Sequence, residues 1–128
     1  TTDLKLGKHY LTADEPIAFG GKDYGPTPYE LLSSGLAACT VMTIQMYAKR
    51  KEWDLQNVQV HISYNKQHAL DCEDCENEST KIDTFIRDIK FEGNLDEKQL
   101  KRLLQIADKC PVHKTLHSET QIITNLIS

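Results

Sequence analysis

The run from Thr27 to Lys51, TPYELLSSGLAACTVMTIQMYAKRK, limits what this chain can fold into more than any other stretch. It carries its own helix start. Thr27 can cap, Pro28 suits the first helical position, and Glu30 closes a capping box three residues after Thr27. From there to about Lys51, Leu32, Gly35, Leu36, Cys39, Met42, Thr43 and Met46 follow the i, i+3, i+4, i+7 series of one face. Between Gly35 and Ile44 the opposite face is apolar too, and a helix apolar all round is surrounded by protein. Any fold for this chain must cover that helix.

The remaining elements are shorter. Residues 3 to 11 alternate loosely, with Leu4, Leu6 and Tyr10 on one side, and read as a strand. ADEPIAFGGKDYGPTP is then a long Gly- and Pro-rich loop. Val58, Val60, Ile62 and Tyr64 alternate with Gln59, His61 and Ser63, the pattern of a half-buried strand. A second strand is expected from Lys81 to Gly93, with a phase change near Ile86 that suggests a bulge or two covered faces. Asn94 is the expected cap of a helix whose apolar face is Leu100, Leu103, Leu104 and Ala107, with Glu97 three residues on. Pro111 interrupts it just after Cys110, VHKTLH reads as one further turn, and TQIITNLI is expected to close the chain as a strand. The order β-α-β-β-α-β lacks the repeated βα rhythm of a parallel sheet, so an α+β fold in one domain, 1–128, is expected.

Composition narrows the function. At 39% hydrophobic and 27% charged the chain is globular, and its formal net charge is -4. Lysines and arginines are scattered among acids, with no basic stripe to neutralise a phosphate backbone, which argues against nucleic acid. TTDLKLGKHY lacks the plan of a secretory signal, and no apolar run is read as long enough to span a bilayer, so a soluble cytoplasmic protein without a membrane role is expected. GGKDYGPTP lacks a nucleotide-binding spacing.

The cysteines are Cys39, Cys72, Cys75 and Cys110, too sparse for a stapled secreted domain. Cys110 continues the face of Leu103 and Ala107, and Pro111 behind it makes Cys110 the natural cap of the next turn, where unpaired N–H groups lower a thiol's pKa. Cys39 has the opposite problem. Burial among apolar residues raises a thiol's pKa, so it needs a nearby cation or hydrogen-bond donor to react at neutral pH. The simpler account makes both cysteines small core hydrophobes. His113, three residues after Cys110, either neighbours the thiol or only fills its turn. His61 faces the polar side of its strand, and His117 ends the short turn.

GPTPYELLSSGLAACT and LLQIADKCPVHKTL, in this order within this element plan, resemble the paired signatures of the OsmC/Ohr family, the osmotically induced protein C and organic hydroperoxide resistance proteins. The likeness covers nearly the whole chain, and DEP…GG…GPTPYELL is closest to the OsmC-like branch. The resemblance implies an OsmC/Ohr-like fold, with antiparallel sheets packed on the cysteine helix in an intertwined homodimer. It also implies a thiol peroxidase of oxidative-stress defence that needs no metal or other cofactor. Cys39 would be the peroxidatic cysteine and Cys110 the resolving one, with an organic hydroperoxide as substrate and an external dithiol, such as a lipoylated protein, as reductant. A homodimer fits the apolar helix, since one small protomer has little surface to spare for wrapping it.

The chain departs from the family pattern around the thiolate. Organic-hydroperoxide members use an N-terminal Arg, held by a Glu near the start of the cysteine helix. Here the arginines are Arg50, Arg87 and Arg102. Arg50 lies about 16 Å beyond Cys39 along a helix. Lys8, His9 and Lys22 are the candidate substitutes, and Glu30 sits one position after the usual acid, where Tyr29 stands. Capping alone accounts for Glu30.

Two rival readings remain. In one, the apolar Cys39 pocket binds an apolar ligand and performs no chemistry. In the other, His68, Cys72 and Cys75 hold zinc, although a structural site takes four protein ligands and no fourth is evident nearby.

Overall fold

The computed structural model describes residues 1–65 and 82–127. The fold is α+β, as the element pattern led us to expect. The strands are β1 (Thr2–Leu6), β2 (His9–Ala13), β3 (Asp54–Asn65) and β4 (Thr84–Asn94), and the helices are α1 (Pro28–Lys51), α2 (Glu97–Ala107) and α3 (Pro111–His117). The chain divides into two compact units, residues 1–35 with 62–87 and residues 36–61 with 88–128.

In the first unit the expected single N-terminal strand is a hairpin. β1 and β2 pair antiparallel from Thr2↔Ala13 to Leu6↔His9. Gly7, at φ 63, takes the left-handed conformation that folds the chain back. Beyond β2 the loop is organised by Asp14, a buried carboxylate that no sequence pattern singles out. It accepts hydrogen bonds from the Thr1 hydroxyl (2.9 Å) and from the backbone N–H groups of Glu15 (2.9 Å), Lys22 (3.2 Å) and Tyr24 (3.2 Å). Burial opposes its charge. The Glu15 N–H, the Thr1 amino group, the Tyr24 N–H and the Thr1 hydroxyl outweigh that and hold the carboxyl well below its usual range. The loop is drawn so tightly that a Cβ on Gly25 would lie 1.9 Å from the Thr12 carbonyl oxygen. In the same unit Tyr29 stacks on Tyr64 at 4.6 Å between ring centres, and the Tyr64 hydroxyl donates to Asp83.

The second unit holds the main hydrophobic core. Ile44 and Ala48 of α1, Val58 of β3, and Leu103, Ile106 and Ala107 of α2 form one buried cluster. Tyr47, Trp53, Leu55, Val60, Ile89 and Phe91 pack around it. β3 pairs with β4, and the Asn94 N–H at the end of β4 reaches the Asp54 carboxylate at the start of β3 (3.2 Å), as antiparallel strands require. The first four residues of β4 are all half-buried and the next five alternate, which places the phase change where the sequence suggested. α2 starts two residues later than expected. Asp96, not Asn94, caps it, accepting from the Gln99 N–H (2.8 Å) while the Gln99 side chain accepts from the Asp96 N–H (2.9 Å).

Two further expectations are corrected. α1, at 24 residues, is long and apolar enough to cross a membrane by length and composition, contrary to the sequence reading. The same test is passed by core helices, and α1 places Ile44 and Ala48 in a protein core. The segment TQIITNLI forms no strand. Ile122, Ile123, Leu126 and Ile127 are each at least 71% exposed. Their β-prone pattern becomes a strand only when it pairs with a sheet edge, and this segment pairs with none among the described residues of its own chain.

Candidate functional site

The site begins with the way α1 is oriented. Its buried positions are Leu36, Thr40, Ile44 and Ala48, spaced four apart. That stripe is rotated from the expected one, and it leaves Leu32, Met42 (61%) and Met46 (72%) exposed. Cys39 stands at the margin of the two faces, half-buried. A thiol there is neither sealed in the core nor loose in solvent.

Cys110 arrives from the opposite end of the sequence. α2 stops at Ala107, and α3 opens with Pro111 at a position that needs no N–H. Cys110 is therefore the N-cap of α3, as the Cys-Pro order foretold. Its sulfur accepts from the His113 backbone N–H at 3.4 Å, and the residue is 0% exposed.

The fold brings these thiols into hydrogen-bonding contact, with both in the reduced state. Burial raises the Cys39 pKa. Hydrogen bonds from the Cys110 thiol, the Val112 N–H and the Thr43 hydroxyl outweigh burial and bring it below the ordinary value. For Cys110 the balance is reversed. Burial, donation to Cys39 and the nearby Cys39 charge push it up, against the N–H groups of His113 and Val112. The cap position alone suggested a lowered Cys110; its deeper burial and its role as donor explain the difference. Cys39 is thus the readier thiolate and Cys110 the neutral partner.

Sequence reasoning named both cysteines but missed two donors. Thr43 lies one helical turn from Cys39, an i, i+4 spacing at which a hydroxyl can reach the thiol. The Val112 N–H is a backbone group aimed by the Pro111 helix start, and no side-chain pattern reports it. Among the described residues, the groups that lower Cys39 include no cation. Arg50 and Arg102 are engaged elsewhere, around Tyr47.

The other candidates are divided between the two units. Glu30, Lys22 and His9 belong to the first unit, whereas Cys39 and Cys110 belong to the second. Glu30 completes its capping box, its carboxylate accepting from the Thr27 N–H (2.9 Å) and its N–H donating to the Thr27 hydroxyl (3.1 Å). The Lys22 ammonium lies 5.9 Å from the Tyr24 ring centre, and exposed His9 faces Leu6 at the hairpin end. His113 meets Cys110 through its backbone, while its ring stands 3.9 Å from the Asp108 carboxylate. His68, Cys72 and Cys75 lie outside the described residues. Among the described residues no cluster of side chains could hold a metal.

A helix-borne thiol tuned by a helix-capping thiol, on an α+β scaffold, defines a dithiol protein. The chain belongs to the OsmC-like protein family, whose model matches residues 20–125. Solved structures share the fold. An OsmC-like protein from Mycoplasma pneumoniae superposes with a TM-score of 0.69 at 19% identity, covering 89% of this chain and 77% of that one. A putative osmotic stress induced and detoxification response protein from Psychrobacter arcticus gives 0.68 at 22% identity, covering 91% and 86%. The organic hydroperoxide resistance protein OhrB of Bacillus subtilis gives 0.52 at 21% identity, covering 78% and 67%. A comparison with curated proteins finds no match.

Proposed function

We propose that this protein is a thiol-dependent peroxidase that reduces organic hydroperoxides in oxidative-stress defence, using Cys39 and Cys110. The observation that carries the reading is the opposed tuning of two touching thiols. The Cys39 thiolate attacks the distal oxygen of ROOH. The O–O bond breaks, Cys39 becomes a sulfenic acid, and the alkoxide takes a proton and leaves as alcohol. Cys110 sulfur then attacks the Cys39 sulfur. Its proton leaves with the sulfenic hydroxyl as water, and a Cys39–Cys110 disulfide forms. An external dithiol reduces that bond by exchange and is itself oxidised to a disulfide. Family membership and the names of structural neighbours such as OhrB support the substrate class. The apolar neighbours of Cys39 on α1 favour a substrate with an organic tail.

The working unit in this reading is a homodimer. Leu32, Met42 and Met46 form an uncovered apolar face on α1, and Ile122, Ile123, Leu126 and Ile127 form an unpaired apolar segment. A second copy would cover both.

The test is to mix reduced protein with one equivalent of cumene hydroperoxide or hydrogen peroxide, using Cys72→Ser/Cys75→Ser protein to silence the other thiols. Thiol loss is followed over time and any disulfide mapped by peptide mass. Faster loss with the organic peroxide and a Cys39–Cys110 bridge is expected. No thiol loss would overturn the peroxidase reading and favour an apolar-ligand binding module.

A further inference from the structure

A second cluster, separate from the thiols, gathers around Tyr47 in the second unit. The Arg50 and Arg102 guanidinium carbons each lie 5.5 Å from the Tyr47 ring centre, and the Lys51 ammonium lies 5.7 Å away. Arg102 donates from Nε to the Tyr47 hydroxyl (3.1 Å) and from Nη1 to the Gln105 side chain (3.1 Å). These bonds fix its fork. The chain carries a net charge of -4, yet among the described residues no carboxylate pairs with any of these cations.

Helix-end electrostatics account for part of this. Lys49, Arg50 and Lys51 occupy the last turn of α1, where cations offset the negative end of the helix. That does not explain Arg102, which comes from α2 and is held against the same ring. Like charges gathered from separate elements repel, and an anion with several oxygens relieves the repulsion. A guanidinium fork matches two oxygens of one such anion, and an ammonium adds a point charge. Arg50 and Lys51 are exposed, while Tyr47 and Arg102 are half-buried, so the cluster is open on one side and anchored on the other.

We propose that Arg50, Lys51 and Arg102 form a binding site for a phosphate-type oxyanion beside the Tyr47 ring. The ligand is a free phosphate compound or the phosphate of a lipid headgroup. The site is independent of the Cys39–Cys110 chemistry and stands or falls separately from it.

The protein contains its own reporter. Trp53, its one tryptophan, meets Tyr47 edge-on at 5.6 Å. Inorganic phosphate is titrated into the reduced protein at constant ionic strength, with chloride as the balancing salt, and Trp53 fluorescence and arginine Nε–H resonances are followed. A saturable response is expected, weakened at least tenfold in both Arg50→Gln and Lys51→Gln, whose exposed side chains leave the core untouched. In parallel, phosphatidylcholine vesicles with and without phosphatidic acid are tested by co-sedimentation. Vesicle binding lost in the same variants assigns the phosphate to a lipid headgroup. A saturable response to free phosphate alone assigns it to a soluble compound. A linear response matched by chloride, or one unchanged in the Arg50→Gln/Lys51→Gln double variant, overturns the site, as does no response to either probe.

Discussion

The Cys110 thiol donates a hydrogen bond to Cys39, and this contact lowers the Cys39 pKa while raising that of Cys110, alongside burial and the surrounding N–H and hydroxyl donors. The donor is also the group proposed to attack Cys39 once that sulfur is oxidised. Removing it therefore affects the first step as well as the second.

Cys110→Ala protein should still lose its Cys39 thiol to cumene hydroperoxide, but about tenfold more slowly at pH 7. That is the scale of one lost hydrogen bond to a charged group. It should stop at sulfenic acid, which dimedone trapping and mass spectrometry would reveal. An unchanged rate would mean that Cys110 does not tune Cys39.

Thr43→Val removes a hydroxyl donor with little change in shape. Cys39 alkylation by iodoacetamide at pH 7 should slow by roughly threefold to tenfold. The loss should shrink at alkaline pH, where the thiolate forms without help. Near-wild-type thermal stability would show that the effect is local.

Asp14 supplies a pH dependence with a definite sign. Its folded pKa lies below the usual carboxylate value near 3.8. Its contribution to stability is therefore complete at neutral pH and is lost as pH falls below about 4. Asp14→Asn should lower Tm at pH 7 by a few degrees, and the gap from wild type should narrow in acid. Equal Tm values at neutral pH would remove the carboxylate from its anchoring role.

Leu103 is wholly buried in the cluster with Ile44, Val58 and Ile106. Leu103→Ala should cost about 3 kcal/mol in urea unfolding, from lost transfer energy and the cavity left behind. A cost under 1 kcal/mol would mean the core can collapse around the gap.

The proposed dimer can be tested through Met46, 72% exposed on α1. Wild-type protein should sediment as a dimer at micromolar concentration. Met46→Glu should weaken association at least tenfold by placing a charge in an apolar contact. A monomeric wild type would remove the second copy from the functional unit.

Some of this was legible in the sequence because its causes are local. Proline after Cys110 sets the α3 cap, and Thr27 with Glu30 sets the α1 capping box. Alternation set β3, and the family signatures singled out both cysteines. What escaped depends on partners distant in sequence or on the backbone. The Gly7 turn leaves no mark in the alternation, because Leu4, Leu6 and Tyr10 on either side of it keep the phase of one continuous strand. Asp14 looked like any loop acid, since its donors come from Thr1, Lys22 and Tyr24. The Val112 N–H has no side-chain signature. TQIITNLI shows the reverse case, a strand pattern without a strand, because pairing needs an edge that propensity cannot supply.

The most direct measurement is the pH dependence of alkylation at each cysteine, read by peptide mass in reduced Cys72→Ser/Cys75→Ser protein. Cys39 should react at lower pH than Cys110, and its profile should lie below that of an ordinary thiol. If Cys110 ionises first, or both titrate together at the ordinary thiol value, Cys39 is not the activated nucleophile.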